Sequence, residues 1–123
     1  MRLRWSVFRA DLDPTSGHEQ ARWRPVLVIS NEAFNRRSGL VTVLPLTTAR
    51  RELRPWEVLV QAGSCGLPAD SIALPHQVRT IASQRLANPP YGRIVDALLR
   101  RAIAEKVLLH CGFSDLSRLD LEE

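Results

Sequence analysis

Lysine is almost missing from this chain: of 17 basic side chains only Lys106 is lysine, and the rest are arginine. That bias matters more than the net charge of +4, because a planar guanidinium grips phosphate with two donors and stacks on bases, which an ammonium does poorly. The two cysteines, Cys65 and Cys111, form no CxxC pair and cannot make a zinc site alone, so reduced thiols are expected. Nor is there an apolar run of signal-peptide length or one near the roughly 18 residues of a membrane span. A cytoplasmic protein with no membrane association is the expectation. Common catalytic signatures are absent too. The chain has no GxSxG, no glycine-rich phosphate loop, no HExxH and no carboxylate cluster suited to magnesium, so neither a metal nor another cofactor is expected.

What is present suits a globular chain. The 123 residues, 45% hydrophobic and 24% charged, fit one domain over 1–123. Residues 3–12 hold Trp5, Val7 and Phe8 and read as an opening strand. A turn-rich, polar loop follows from Asp13 to Trp23. Pro25 then leads into a short buried strand, Val26 to Ile29. Residues 31–39 read as a connection with room for one helical turn. Leu40 to Leu46 is a second β-branched run whose Pro45 argues for an interruption of the ladder. Further short strands are expected at 57–61, 71–74 and 77–81, a spacing that suggests a small barrel or strongly bent sheet. After the breaker Asn88-Pro89-Pro90 the period changes. Val95, Leu98, Leu99, Ala102 and Ile103 mark the inner stripe of an amphipathic helix ending near Cys111, with Arg93, Asp96, Arg100 and Arg101 opposite. The class expected is mainly β (α+β).

Polar groups gather where the apolar strands end. Arg22 and Arg24 precede Val26; Ser30 and Asn31 follow Ile29; Thr47, Thr48, Arg50 and Arg51 follow Leu46; His76, Gln77 and Arg79 follow Leu74. If those ends meet, they line a groove suited to a phosphodiester, with guanidinium for phosphate and amides and hydroxyls for base edges. Ordinary chain exit from a core would also place polar residues there. Of the three histidines, His110 stands at a helix C-terminus and suits capping, whereas His18 and His76 lie in polar stretches and suit ligand contact.

Three blocks, VFRADLDPTSGHEQARWRPVLVISN at 7–31, VTVLPLTTA at 41–49 and SIALPHQVRTIASQRL at 71–86, resemble the MazF/PemK family of mRNA-cleaving toxins from toxin–antitoxin pairs. The resemblance runs from about Arg4 to Phe113. It implies a small SH3-like β-barrel of the MazF/CcdB type, a homodimer, and a metal-independent endoribonuclease that cuts single-stranded RNA at a short preferred sequence. The family's catalytic arginine falls on Arg24 and its catalytic threonine on Thr47, with Thr48 beside it. The GHEQ loop, which also holds His18, places Glu19 and Gln20 at the mouth of the groove, and Asn31, Gln77 and Arg79 match positions that touch RNA or support the site. A MazE-like antitoxin with an acidic, disordered segment is the implied partner. Two departures stand out: Trp5-Ser6 replaces the usual Gly-Asp pair, and Arg22-Trp23 precedes Arg24 where small residues are common.

The implied reaction is attack by a 2′-hydroxyl on the adjacent phosphorus, giving a 2′,3′-cyclic phosphate and a 5′-hydroxyl. A guanidinium keeps its proton at neutral pH, which suits charge stabilisation or acid work and disfavours a basic role. Glu19 or His18 is left as the candidate base. Two other classes remain open at this point: a CcdB-like toxin that inhibits gyrase by protein binding, and an RNA-binding module without turnover.

Overall fold

The computed structural model describes residues 2–12, 23–113 and 121. Among these, the elements run β1 (Ser6–Asp11), β2 (Trp23–Val28), α1 (Glu32–Ser38), β3 (Leu40–Thr48), β4 (Val58–Val60), β5 (Ser71–Ala73), β6 (Arg79–Ala82), β7 (Leu86–Arg93) and α2 (Ala97–His110). The seven strands join one sheet in the order β4-β5-β3-β2-β1-β7, with β6 also paired to β3. Every pairing is antiparallel. The class is α+β, as expected, but the hydrogen-bonded path is open: β4 and β7 are its two ends rather than neighbours across a closed barrel.

Strand β3 organises the sheet. One edge pairs with β2, through Val26↔Pro45, Leu27↔Leu44 and Val28↔Val43. The other edge pairs first with β6, from Leu40 to Val43, and then with β5, from Leu46 to Thr48. Pro45 falls at the changeover. Its carbonyl accepts from the Leu74 N–H at 3.0 Å, and the donor that proline lacks would point along the same edge, where β6 has ended and the β5 ladder has yet to begin. The interruption expected from Pro45 is therefore the point at which β3 exchanges partners.

Alternation along the strands builds two apolar clusters. Val7, Leu27, Leu44 and Leu46 face one, which also holds Trp5, Val60, Ile94 and Ile103. Phe8, Ala10, Val26, Val28, Val41 and Val43 face the other, with Ile81 and Leu86. This division follows from the two-residue period of a strand, and it is why the central strands read as continuous apolar runs.

Two sequence expectations require correction. Asn88-Pro89-Pro90 does not end the β region but lies within β7. The β1–β7 register passes from Val7↔Gly92 to Arg9↔Ala87, so residues 88–91 bulge out opposite Phe8. Proline is tolerated there because β7 is an edge strand and the bulge needs no ladder donor. The Asn88–Pro89 peptide is cis.

The second correction concerns α2. Its expected stripe is displaced: Val95 and Leu98 are 73% and 78% exposed, whereas Arg100, expected outside, is buried. Leu99, Ala102, Ile103 and Val107 pack inward as the period requires. Arg100 turns in because its polar atoms are satisfied there. Its Nε donates to the Ile94 carbonyl and a terminal nitrogen to the Leu121 carbonyl, both at 2.9 Å. Its guanidinium carbon lies 5.3 Å from the centre of the Trp5 ring, a cation–π contact worth roughly 0.5–2 kcal/mol. Burial, with Arg93 and Arg4 nearby, draws the Arg100 pKa below its ordinary value.

Trp5 itself adopts φ 67°, the left-handed region that favours glycine. The Gly that the family resemblance implies at this position would adopt it without strain. Here tryptophan is held in it by bonds on both sides, from its N–H to the Val28 carbonyl at 2.7 Å and from the Ile94 N–H to its carbonyl at 2.8 Å.

Candidate active site

The antiparallel register that aligns Val26 with Pro45, carried two residues further, sets Arg24 level with Thr47. Both sit where their strands leave the apolar sheet. They line a cleft of about 550 Å³ whose floor includes Pro25, Leu46 and Thr48. Leu67, Pro68 and Ala69 form the facing wall, and Arg50 and Ser71 complete the lining. Among the described residues, no hydrogen bond or ion pair engages the side chain of Arg24, Thr47, Thr48 or Arg50. Among the described residues, the cleft thus presents two cations and two hydroxyls whose donors are not engaged.

The wall is held by backbone bonds together with the side chains of Asp70 and Ser71. The Gly63 N–H bonds the Leu67 carbonyl at 3.0 Å, and the Ala62 N–H bonds Asp70 Oδ1 at 2.7 Å. The Ala49 N–H bonds the Asp70 carbonyl at 2.9 Å, tying the wall to the end of β3. Gly66, at φ 87°, approaches β7 so closely that a Cβ would lie 1.9 Å from the Tyr91 carbonyl oxygen. Beside it Cys65 is buried, which pushes its thiol pKa up.

The neighbouring arginines of the β3–β4 connection have opposite fates. Arg51 forms a two-pronged pair with Glu57, each nitrogen–oxygen distance 2.8 Å. The Arg54 N–H adds a bond to the same carboxylate at 2.9 Å, and the Arg54 guanidinium lies 3.7 Å away. The Arg51 hydrogen bonds, ahead of the Arg54 contributions and against the burial of the carboxylate, lower the Glu57 pKa to about 2. The same pairing raises the pKa of Arg51. Lys106 fastens this connection to α2 by donating to the Pro55 carbonyl at 2.6 Å. Arg50, one residue earlier, is exposed and turned to the cleft.

Of the residues singled out from sequence, Arg24, Thr47 and Thr48 come together. His18, Glu19 and Gln20, and Arg22 with them, lie outside the described residues. Ser30 and Asn31 lie at the other end of β2 from Arg24. The Ser30 hydroxyl donates to Asn35 Oδ1 and accepts from the Thr42 N–H at 2.9 Å. Asn31 caps α1, its Oδ1 accepting from Ala33 and Phe34 N–H groups at 2.8 and 3.2 Å. His76 sits in the 3-10 turn Pro75–Gln77, edge-on to Trp56 with ring centres 6.2 Å apart. Its Nδ1 is buried without a hydrogen-bond partner among the described residues. Gln77 and Arg79 are exposed, Arg79 opposite Val43. None of His76, Gln77 and Arg79 is part of the cleft lining.

The wall residues Leu67 to Ala69 and the lining residue Ser71 carry no sequence signal beyond the turn-rich stretch that contains most of them. Arg50 stood in the strand-end set, but nothing local separates it from Arg51.

Among the described residues, no helix is long and apolar enough to cross a membrane, and no group of three or more His, Cys, Asp or Glu is placed to hold a metal ion.

Comparison with known proteins places this geometry. Residues 3–109 match the family model described as PemK-like, MazF-like toxin of type II toxin-antitoxin system. Endoribonuclease MazF9 of Mycobacterium tuberculosis is 36% identical over 115 residues, covering 89% of this chain and 96% of that protein. Endoribonuclease EndoA of Bacillus subtilis is 41% identical over 86 residues, covering 69% and 74%. Among solved structures, an endoribonuclease in complex with its cognate antitoxin from Mycobacterial species aligns with a TM-score of 0.73 at 23% identity, covering 94% of this chain and 99% of that one. The Mycobacterium tuberculosis toxin MazF-mt6 aligns with a TM-score of 0.71 at 26% identity, covering 89% and 99%.

Proposed function

The chain belongs to the PemK-like, MazF-like toxin family of type II toxin–antitoxin systems, and from that premise we propose that Arg24 and Thr47 cleave single-stranded RNA in the cleft between β2, β3 and the 67–69 wall. It is an endoribonuclease toxin, like its curated relatives, with an antitoxin as partner. The observation that carries the site assignment is the meeting of Arg24 and Thr47 on paired strands in one open cleft.

In the reaction the 2′-oxygen attacks the adjacent phosphorus, the bond from phosphorus to the 5′-oxygen breaks, and a 2′,3′-cyclic phosphate remains. Negative charge grows on the non-bridging oxygens. Arg24, fixed by β2, meets that charge without having to reorganise, and one preorganised donor of this kind is worth about 10²- to 10³-fold in rate. Thr47 donates to the same phosphate from β3, with the smaller effect of a neutral hydroxyl. Arg50 and Thr48 hold the flanking phosphate. The 2′-hydroxyl proton passes to a base, assigned from the family pattern to Glu19 or His18, and the leaving 5′-oxygen takes up a proton. Gln20, His76, Gln77 and Arg79 are read as contacts further along the RNA. Ser30 and Asn31 are read as supports, because their side chains are already committed to α1 and β3.

Residues 1–123 act as one domain, paired as a homodimer in the cytoplasm, and an acidic segment of the antitoxin competes with RNA for the arginines of the cleft. The test is incubation of the purified protein with a long, weakly structured RNA in EDTA, followed by mapping of the 5′ ends. Hydroxyl ends recurring at one short sequence, lost in Arg24→Ala protein of unchanged circular dichroism, are expected. Cutting by Arg24→Ala at the parental rate would remove the assignment.

A further inference from the structure

Within β2, Val26, Leu27 and Val28 are fully buried, yet Trp23 at the start of the same strand is 38% exposed. It belongs to neither apolar cluster. The other two tryptophans differ from it: Trp5 is 1% exposed in the core, and Trp56 lies against His76. One side of the Trp23 ring is occupied by a cation, the Arg9 guanidinium carbon lying 4.6 Å from its centre. The β1–β2 register sets Asp11 opposite Trp23 and Arg9 opposite Pro25, so Arg9, Trp23 and Pro25 project from the same side of the sheet. Pro25 lines the cleft. A partly open indole, braced on one side by a guanidinium, therefore stands at the edge of the cleft on the side Pro25 faces, outside the cleft lining itself, while Arg24, the next residue of the strand, projects from the opposite side of the sheet.

An exposed indole with one side braced is suited to a second flat group. Bases offer a π-face whatever their identity, and stacking on an aromatic side chain is a principal means of holding single strands. The brace also limits the motion of the ring, so less freedom is lost when a base stacks on it. We propose that Trp23, held in place by Arg9, is the stacking platform for one base of the RNA beside the scissile phosphate. The platform selects for stacking strength at one position of the recognition sequence and sets the register of the phosphate against Arg24. This role rests on the ribonuclease reading of the cleft.

The test uses a short RNA containing a mapped cleavage site, with a 2′-deoxy sugar at the scissile nucleotide so that binding is measured without turnover. Trp23→Ala is expected to weaken binding by about 5- to 100-fold with the thermal midpoint unchanged, while Trp23→Tyr keeps most of the affinity. Abasic sugars are then placed one position at a time. At a single position beside the cut, base removal should cost parental protein as much as Trp23→Ala does and cost the Trp23→Ala protein nothing further, the non-additivity of two groups in contact. Arg9→Ala should produce a smaller loss at the same position. Equal losses from base removal in both proteins at every position, with parental cleavage intact, would overturn the platform. Failure of the parental protein to cut any RNA would instead remove the premise, a result distinguishable from the first.

Discussion

At one end of β2, Arg24 faces an open cleft with no hydrogen bond or ion pair to its side chain among the described residues. At the other end, the side chains of Ser30 and Asn31 are bonded to the Asn35 side chain, the Thr42 N–H and the first turn of α1. The two ends look alike as polar residues flanking one apolar run, and they differ in whether other described residues already use their hydrogen-bonding groups. Recruiting a satisfied group to a ligand first costs the bond it has, whereas an open group loses only water. Arg50 and Arg51 repeat the contrast over a single peptide bond, one turned to the cleft and the other clasped to Glu57.

The contrast can be broken or sharpened by substitution. Arg24→Ala should lower kcat by about 10²- to 10³-fold without altering the unfolding midpoint; Thr47→Ala should lower it less, by about tenfold. Single-turnover cleavage beside a thermal melt reads both. Gly66→Ala should destabilise by more than about 1 kcal/mol, since a positive φ and a carbonyl contact are lost together. It should also weaken RNA binding by shifting the 67–69 wall, which denaturant titration and a binding isotherm would detect.

At the closed end, Asn31→Ala should destabilise by about 0.5–2 kcal/mol through loss of the cap while cleavage stays parental. Asn31→Ser, which keeps a capping oxygen, should recover most of that stability. Arg50→Ala should reduce the slope of log affinity against log salt by about one, as for one lost phosphate contact, and leave the melt unchanged. Arg51→Ala should do the reverse, lowering the midpoint by a few degrees with an unaltered salt slope.

Acid gives the smallest and most specific test. The Glu57 pKa is about 2 in the fold and lies in the ordinary glutamate range when unfolded. As pH falls from that range toward 2 the unfolded chain takes up a proton that the native chain does not, so the stability contributed by the pair is present above the window and lost through it. Acid unfolding curves of the parental and Arg51→Ala proteins should converge there.

Much of this fold was legible because its cues are local. The apolar runs at 26–29 and 40–46 are buried strands, and Pro45 marks a real change in the ladder. β7 was not legible, since its prolines are excluded from most strands and are tolerated only because tertiary structure makes it an edge. The face of α2 was misjudged for a similar reason: periodicity ranks residues by hydrophobicity, and nothing in it reveals that Trp5 and two carbonyls await Arg100.

By itself the sequence determined the strand periods, the family pattern and the chemistry available, an arginine at a strand entrance and a threonine at a strand exit. Tertiary structure decided which arginines are open. Arg50 and Arg51 are the same residue type side by side, and only the placement of the Glu57 carboxylate, fixed at the entry to β4, draws one guanidinium away. The meeting of Arg24 with Thr47 likewise depends on the β2–β3 register, a non-local pairing set by burial of both apolar runs. Trp23 follows the same logic, since its exposure is a property of the sheet around it and not of the residue.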